Sequence, residues 1–307
     1  MSKLNNLSVC ILVLNEARHI EKTLKSVHKL AAEIIVMVDD LTTDETEKIA
    51  LRYTEKVYKC PHDDNFHINK QLALEKAVKP WILWLDGDEE ISSELADEIK
   101  SQISSQTNKA YYIPRKNYIF KKWIHYTGWY PDHQLRLFRK GRVKFVSRRI
   151  HDHPHTDDLV SHLKNPLIHH NYQNISQFIE KLNRYTSVDA QDYVKKLKPP
   201  YYKHFITKPL DEFIKRFLAW KGYKDGLHGL ALSLLQAFYE LVVVAKAWEA
   251  KNFEKDRNNS NNLIIKTENE VGKILKNWHW WKCELKIKKS SNFIKKTWLK
   301  GLRKLGL

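Results

Sequence analysis

Asp86-Gly87-Asp88-Glu89-Glu90 places four carboxylates in five positions, directly after the apolar run Trp81-Ile82-Leu83-Trp84-Leu85. Ionised carboxylates this close repel one another and lose hydration if covered, so packing alone gives no reason for the arrangement. A hard divalent cation, Mn2+ or Mg2+, resolves the conflict by taking carboxylate oxygens, with a diphosphate filling its other positions. The same residues also fit a solvated acidic turn, with Glu89 and Glu90 as the acids that open a helix. Asp-x-Asp by itself is too short a pattern to choose between the two.

Two more polar clusters follow apolar runs. Asn15-Glu16 comes after residues 7–14, and Asp39-Asp40 with Asp44 comes after residues 33–38. Each run reads as a strand, and helical spacing follows each one. Ile20, Leu24 and Val27 mark the first helix. A Thr42-x-x-Glu45 capping box leads to Ile49 and Ala50 in the second. Residues 69–77 form the third, and Ser92 or Ser93 caps the fourth. Such alternation with short links requires right-handed crossovers, hence an α/β fold with a mostly parallel sheet flanked by helices. The three clusters then fall on the carboxyl edge of one sheet, where open α/β folds bind ligands. A single acidic turn is unremarkable, whereas three on one edge point to a ligand site.

From Tyr111 to Phe145 short aromatic strands alternate with basic residues, as in 111–114 and 135–138, and read as a smaller β portion completing the site. Past Ile175 the pattern is helical, with Phe178, Leu182 and Tyr185 on one face. The apolar stretch 227–248 is interrupted by Glu240 and reads as a buried or interfacial helix rather than a membrane span. Three segments result: a core over 1–175, a helical part over 176–254, and a tail over 255–307. The tail holds 14 Lys/Arg against 4 Asp/Glu, a net +10 of the chain's +17. Its Trp278, Trp280 and Trp281, followed by Phe293, Ile294, Trp298, Leu302 and Leu305 among lysines, fit a helix in the interface of an anionic membrane. The alternative is a helix that docks on the protein body and shows water its lysines. With 42% hydrophobic residues and 10 Trp, the 307-residue chain is no disordered protein. Three cysteines without a CxxC pair exclude a disulfide scaffold and structural zinc. Residues 7–14 are too short, and followed by the wrong residues, for a secretion signal.

Val9-Cys-Ile-Leu-Val-Leu-Asn15-Glu16, Val36-Met-Val-Asp39-Asp-Leu-Thr-Thr-Asp44 and Trp84-Leu-Asp86-Gly-Asp88-Glu89 resemble glycosyltransferase family 2, inverting nucleotide-sugar transferases of the GT-A fold. Gly128-Trp-Tyr-Pro-Asp132-His-Gln-Leu-Arg-Leu-Phe-Arg139, residues 178–185 and residues 222–229 are most similar to bacterial lipopolysaccharide core β-glucosyltransferases. The likeness spans about residues 7–250. It implies transfer of a hexose, glucose, from a nucleoside-diphosphate sugar, UDP in the first place, to an anionic glycolipid acceptor. It also implies that Asn15, Glu16, Asp39 and Asp86 line the nucleotide-sugar site, with Asp39 on the uracil or ribose side. Asp88 would hold Mn2+ or Mg2+, with Asp86 at the ribose and a metal-bound water. Lys70 matches a basic position and would reach the phosphates, unless it is an exposed helix lysine. Leu41 departs from the family, which often has a small residue there, and leaves the turn after Asp39 open.

Inversion at the anomeric carbon needs a base on the acceptor hydroxyl. Asp132 is the candidate, unless it is only a turn residue after Pro131. Trp129 and Tyr130 could stack on a sugar, and Arg136 and His151 could contact the acceptor. His151-Asp-His-Pro-His155 is also compatible with a plain surface. The expected setting is the cytoplasm, peripherally on the inner face of the cytoplasmic membrane, in cell-envelope synthesis. A nucleic-acid-binding protein would explain the charge but leaves carboxylates at the sheet edge facing phosphates. No nucleic acid is therefore expected. A catalytically degenerate membrane scaffold is disfavoured by the presence of Asp39, Asp86, Asp88 and Asp132.

Overall fold

Leu7, Val9, Ile11 and Val13 are buried on one side of a sheet, and Cys10 and Leu12 on the other. That is the period of two of a strand covered on both faces. The computed structural model describes residues 3–62, 67–105, 108–145, 154–199, 201–255 and 260–305. It divides into two units, one of residues 1–125 and 129–174, the other of 126–128 and 175–307.

In the first unit β1 (Leu4–Val13), α1 (Ile20–His28), β2 (Ala31–Asp39), α2 (Thr46–Ala50), β3 (Val57–Cys60), α3 (His67–Lys76) and β4 (Trp81–Asp86) alternate as the periodicity predicts. Then come β5 (Glu89–Glu90), α4 (Ser93–Ser105), β6 (Ala110–Ile119), β7 (Lys122–Trp123), β8 (Asp132–Arg139), β9 (Val160–His162) and β10 (Leu167–His170). They form one sheet in the order β3-β2-β1-β4-β8-β6-β10-β5, with β7 and β9 paired to β6. β3, β2, β1 and β4 are mutually parallel, and β8 is antiparallel to β4 and β6. This is the mostly parallel sheet flanked by helices that the alternation predicts. The strand order reverses between β1 and β4, the switch point at which such sheets bind ligands. β5 follows β4 by two residues yet lies at the far end of the strand order. The sheet must therefore curl, bringing β6, β8 and β10 round to the carboxyl end of β4.

Two local expectations change and a third holds. Residues 111–145 form no separate β portion, because β6 and β8 are central strands of the same sheet. β6 runs through Pro114, whose missing N–H costs no ladder bond. On that side β6 pairs with β9 up to Tyr112 and with β10 only from Arg115. The Thr42-x-x-Glu45 capping box does not form, and Asp44 Oδ1 accepts the Thr46 N–H at 3.0 Å instead. Ser92 does cap α4, its Oγ accepting the Leu95 N–H at 3.2 Å.

The second unit is helical: α5 (Ile175–Val194), α6 (Tyr201–Ile214), α7 (Leu227–Glu249), α8 (Ser260–Lys289) and α9 (Phe293–Leu305). By length and composition α7 is apolar enough to cross a membrane. Polar ties nevertheless fix it in the bundle: Tyr239 to Asp189 and Lys246 to Asn183 on α5, and Glu240 to Lys208 on α6. Trp278 stacks on Phe213 and Phe217, and Trp281 joins the same apolar cluster with Ile214, Leu218 and Ile274. These two tryptophans pack α8 against α6, the docked alternative that the sequence left open for them.

Candidate active site

Parallel pairing of β2, β1 and β4 puts Asp39, Asn15-Glu16 and Asp86-Asp88 on one edge, as the sequence predicts. Asn15 adopts a left-handed conformation (φ 55°), and its Oδ1 accepts the Thr43 N–H at 2.9 Å. Asp44 Oδ2 accepts the Ala17 N–H at 3.0 Å, so the loops after β1 and β2 are stapled together. Asp39 is buried, with Oδ1 on the Leu41 N–H (3.0 Å) and Oδ2 against His62 Nδ1 (2.9 Å). Leu41 thus closes the turn through its backbone while its side chain is exposed. Gly87 permits the close approach of β1, since a Cβ there would lie 2.6 Å from Val13 Cγ1.

Beyond Gly87 the acids are not a solvated turn. Glu89 is fully buried, its Oε2 accepting the Asp86 N–H at 3.0 Å. Its Oε1 accepts from Arg136 Nη2 at 2.7 Å and lies 3.6 Å from Arg115 Nη1. Glu89 and Glu90 open no helix. They form β5 on β10, and Glu90 pairs with His170 at 2.5 Å. Arg136 corrects a second expectation. It is 5% exposed and bound to Asp86 Oδ2 at 2.5 Å as well as to Glu89, so it is not presented to an acceptor. Removing one partner of a buried pair costs about 3–5 kcal/mol, which ties this arginine to the acids.

Lys70 Nζ lies 4.0 Å from Asp86 Oδ1, above the rings of Trp84 and Phe145. Burial pushes the Lys70 ammonium below the usual lysine range despite Asp86 beside it. Burial would raise the Asp86 carboxyl, but Arg136, Lys70 and Arg115 hold it far below the usual carboxylate range. Asp86 is therefore a fixed anion among cations.

Asp88 Oδ2 lies 3.5 Å from His169 Nε2, and His169 Nδ1 is 2.6 Å from Asn117 Oδ1. Because an amide oxygen only accepts, Nδ1 carries a proton there and Nε2 faces Asp88. Asp132, at the start of β8, receives Arg115 Nε at 2.8 Å, Asn117 Nδ2 at 3.3 Å and Gln134 Nε2 at 2.8 Å. It is linked to Asp88 through Asn117 and His169, and to Asp86 through Arg115, Glu89 and Arg136. Asn117 also holds the Trp129 carbonyl at 2.7 Å. The Trp129 and Tyr130 rings sit edge-on to Tyr172 and Trp123, and both residues are partly exposed. His151 lies outside the described residues. Among the described residues no group of three or more His, Cys, Asp or Glu is arranged to enclose a metal.

Arg115, Asn117, His62, the contact of His169 with Asp88 and the role of Glu89 escape the sequence reading. The signal for the first two was the alternation of Arg115 and Asn117 on one strand face, obscured by Pro114 as an apparent strand end.

A curled, mostly parallel sheet with paired acids at its switch point is the setting in which open α/β folds bind ligands. Residues 8–156 match the family model described as Glycosyl transferase family 2, and this part of the chain is a domain of that family. The relatives that the chain matches over about four fifths of its length are themselves described as glycosyltransferases. The chain is 29% identical over 258 residues to an uncharacterized glycosyltransferase of Rickettsia bellii, covering 79% of this chain and 86% of that one. It is 25% identical over 256 residues to the lipopolysaccharide core biosynthesis glycosyltransferase LpsC of Rhizobium meliloti, covering 79% and 92%. Among solved structures it is similar to S. aureus TarS 1-349 in complex with UDP-GlcNAc, at 15% identity and a TM-score of 0.41, over 80% of this chain and 92% of that chain.

Proposed function

We propose that the protein is a metal-dependent inverting hexosyltransferase. On this reading it moves glucose from UDP-glucose to a lipid-linked acceptor of the lipopolysaccharide core class, on the inner face of the cytoplasmic membrane. The likeness to LpsC supports the acceptor class. The observation that carries the reaction is the double linkage of Asp132 to Asp86 and Asp88 described above, which holds a base candidate and a diphosphate-metal candidate in one polar network.

In this reading Asp39 receives the uracil or ribose, and Lys70 offers its ammonium to the diphosphate. Asp88, with His169 Nε2 beside it, would hold Mn2+ or Mg2+. Two protein groups suit such a cation, because it takes its remaining ligands from diphosphate and water. Bound there, it would stabilise negative charge on the departing nucleotide. Asp132 takes the proton of the acceptor hydroxyl. The acceptor oxygen bonds to the anomeric carbon from the face opposite the diphosphate, and the C–O electron pair leaves with UDP. Trp129 and Tyr130, partly exposed beside Asp132, offer the acceptor sugar apolar faces.

Calorimetric titration with UDP tests the donor half. Binding is expected to strengthen with Mn2+ and to be largely lost in Asp88→Asn. Metal-independent binding that ignores this substitution would sink the assignment. Nucleotide release across a panel of UDP- and GDP-sugars then identifies the donor.

A further inference from the structure

The hydrogen bonds at Asp132 are divided unequally. Its Oδ2 accepts Arg115 Nε at 2.8 Å, Arg115 Nη2 at 2.5 Å and Asn117 Nδ2 at 3.3 Å. Its Oδ1 accepts only Gln134 Nε2, at 2.8 Å, among the described residues. A carboxylate has about four lone-pair sites. Oδ2 is saturated and Oδ1 keeps one site open. The Asp132 side chain is 21% exposed, so it is not sealed from solvent. The other end of the Arg115 guanidinium lies against Glu89, which has no exposure and is itself clamped by Arg136. Arg115 is thus anchored on a buried anion and cannot turn away from Asp132 cheaply.

We infer that Arg115 is the positioning residue for the base: it occupies Oδ2 of Asp132 and so presents Oδ1 to the acceptor hydroxyl. The inference rests on the transfer reading and adds to it which oxygen receives the proton and when. The titratable and charged groups around Asp132 are Arg115 from β6, Glu89 of β5 behind that guanidinium, and the adjacent His133 imidazole, which burial pushes toward its neutral form. Asn117 and Gln134 are neutral donors. Burial raises the Asp132 carboxyl, but Arg115 and the bonds from Gln134 and Asn117 outweigh it and hold the group below the usual carboxylate range. A carboxylate does not deprotonate a resting alcohol, whose O–H is far less acidic than a carboxylic acid. The acceptor oxygen must first begin bonding to the anomeric carbon while the bond to diphosphate breaks, which makes its O–H acidic. The proton then passes to Oδ1 and the electron pair of the broken bond departs with the nucleotide. Arg115 therefore favours late proton transfer, and the enzyme keeps an ionised base at mildly acidic pH.

The test is the titration of the Asp132 carboxyl carbon, followed by NMR in protein labelled with 13C-aspartate and assigned with Asp132→Asn. In Arg115→Met the midpoint is expected to rise by about 1–3 pH units, the usual effect of removing an opposite charge at this range. The acid limb of UDP release from UDP-glucose, with extracted lipopolysaccharide core as acceptor, should move up with it. In Arg115→Lys the charge persists without the fork, so the midpoint should stay low while kcat falls and UDP affinity holds. An Asp132 midpoint unchanged in Arg115→Met overturns the inference. If Arg115→Met does not fold, an Arg115→Lys protein with wild-type kcat overturns it equally. Wild-type transfer by Asp132→Asn would remove the base, whereas UDP binding that Asp88→Asn leaves intact speaks only to the donor site, so the two failures read differently.

Discussion

Glu89 and Arg136 illustrate how a residue's role depends on its partners. In the sequence Glu89 is one acid in a run and Arg136 one of many basic residues, but folding makes them a buried pair at Asp86. Each carboxylate that would otherwise be costly to bury meets a guanidinium, an amide or an imidazole. Asp132 is the clearest single-residue test. Asp132→Asn keeps the size of the side chain but cannot take a proton. Transfer should fall by about 10²–10⁴-fold, the usual contribution of a base, with UDP affinity unchanged by calorimetry. Equal loss of binding and transfer would mean that Asp132 supports the pocket instead.

At the scale of elements, close packing around glycines positions the turns. In the second unit, Gly222 and Gly229 pack backbone against backbone. A Cβ on Gly229, in the first turns of α7, would lie 1.8 Å from the Gly222 carbonyl oxygen, and one on Gly222 would lie 2.5 Å from Thr127 Cγ2. Backbone atoms cannot give way as a flexible side chain can. Gly229→Ala is expected to destabilise the fold by at least the ~1–3 kcal/mol typical of overpacking, read as a lowered Tm in thermal unfolding. A Tm equal to wild type would reject this packing. Gly141, with no atom near its Cβ position, is the control for space, although its φ of +80° adds backbone strain of its own.

For the whole molecule, charge and exposed apolar surface partition together. Residues 175–307 hold 27 Lys/Arg against 13 Asp/Glu, leaving only +3 on the first 174. On α9, Leu299 is buried while Phe293, Ile294 and Trp298 are 81%, 78% and 62% exposed, alongside Lys295 and Lys300. Bulky apolar groups among lysines match an anionic bilayer, whose headgroups attract the cations while the rings enter the interface. Substituting Phe293, Ile294 and Trp298 together by Ser should release the protein from phosphatidylglycerol-containing vesicles in a sedimentation assay, with UDP binding retained. Wild-type binding should weaken as salt rises. Vesicle binding that the triple substitution leaves intact would move the interface elsewhere.

Periodicity and apolar runs made the strands and helices up to α4 legible, because burial on both faces imposes its pattern on the sequence itself. Polar residues at the ends of β1, β2 and β4 were legible for the same reason, since parallel strands must bring their carboxyl ends to one edge. The partners of those residues were not. Arg115, Asn117, Arg136 and His169 reach the acids only because the sheet curls β6, β8 and β10 back to β4, and no local pattern encodes that closure. Nor does a stripe of tryptophans state whether it meets lipid or protein, since both reward the same apolar face. Sequence alone thus determined which chemical groups stand at the sheet edge. Tertiary structure decided which of them neutralise one another, because that depends on distances between strands far apart in the chain.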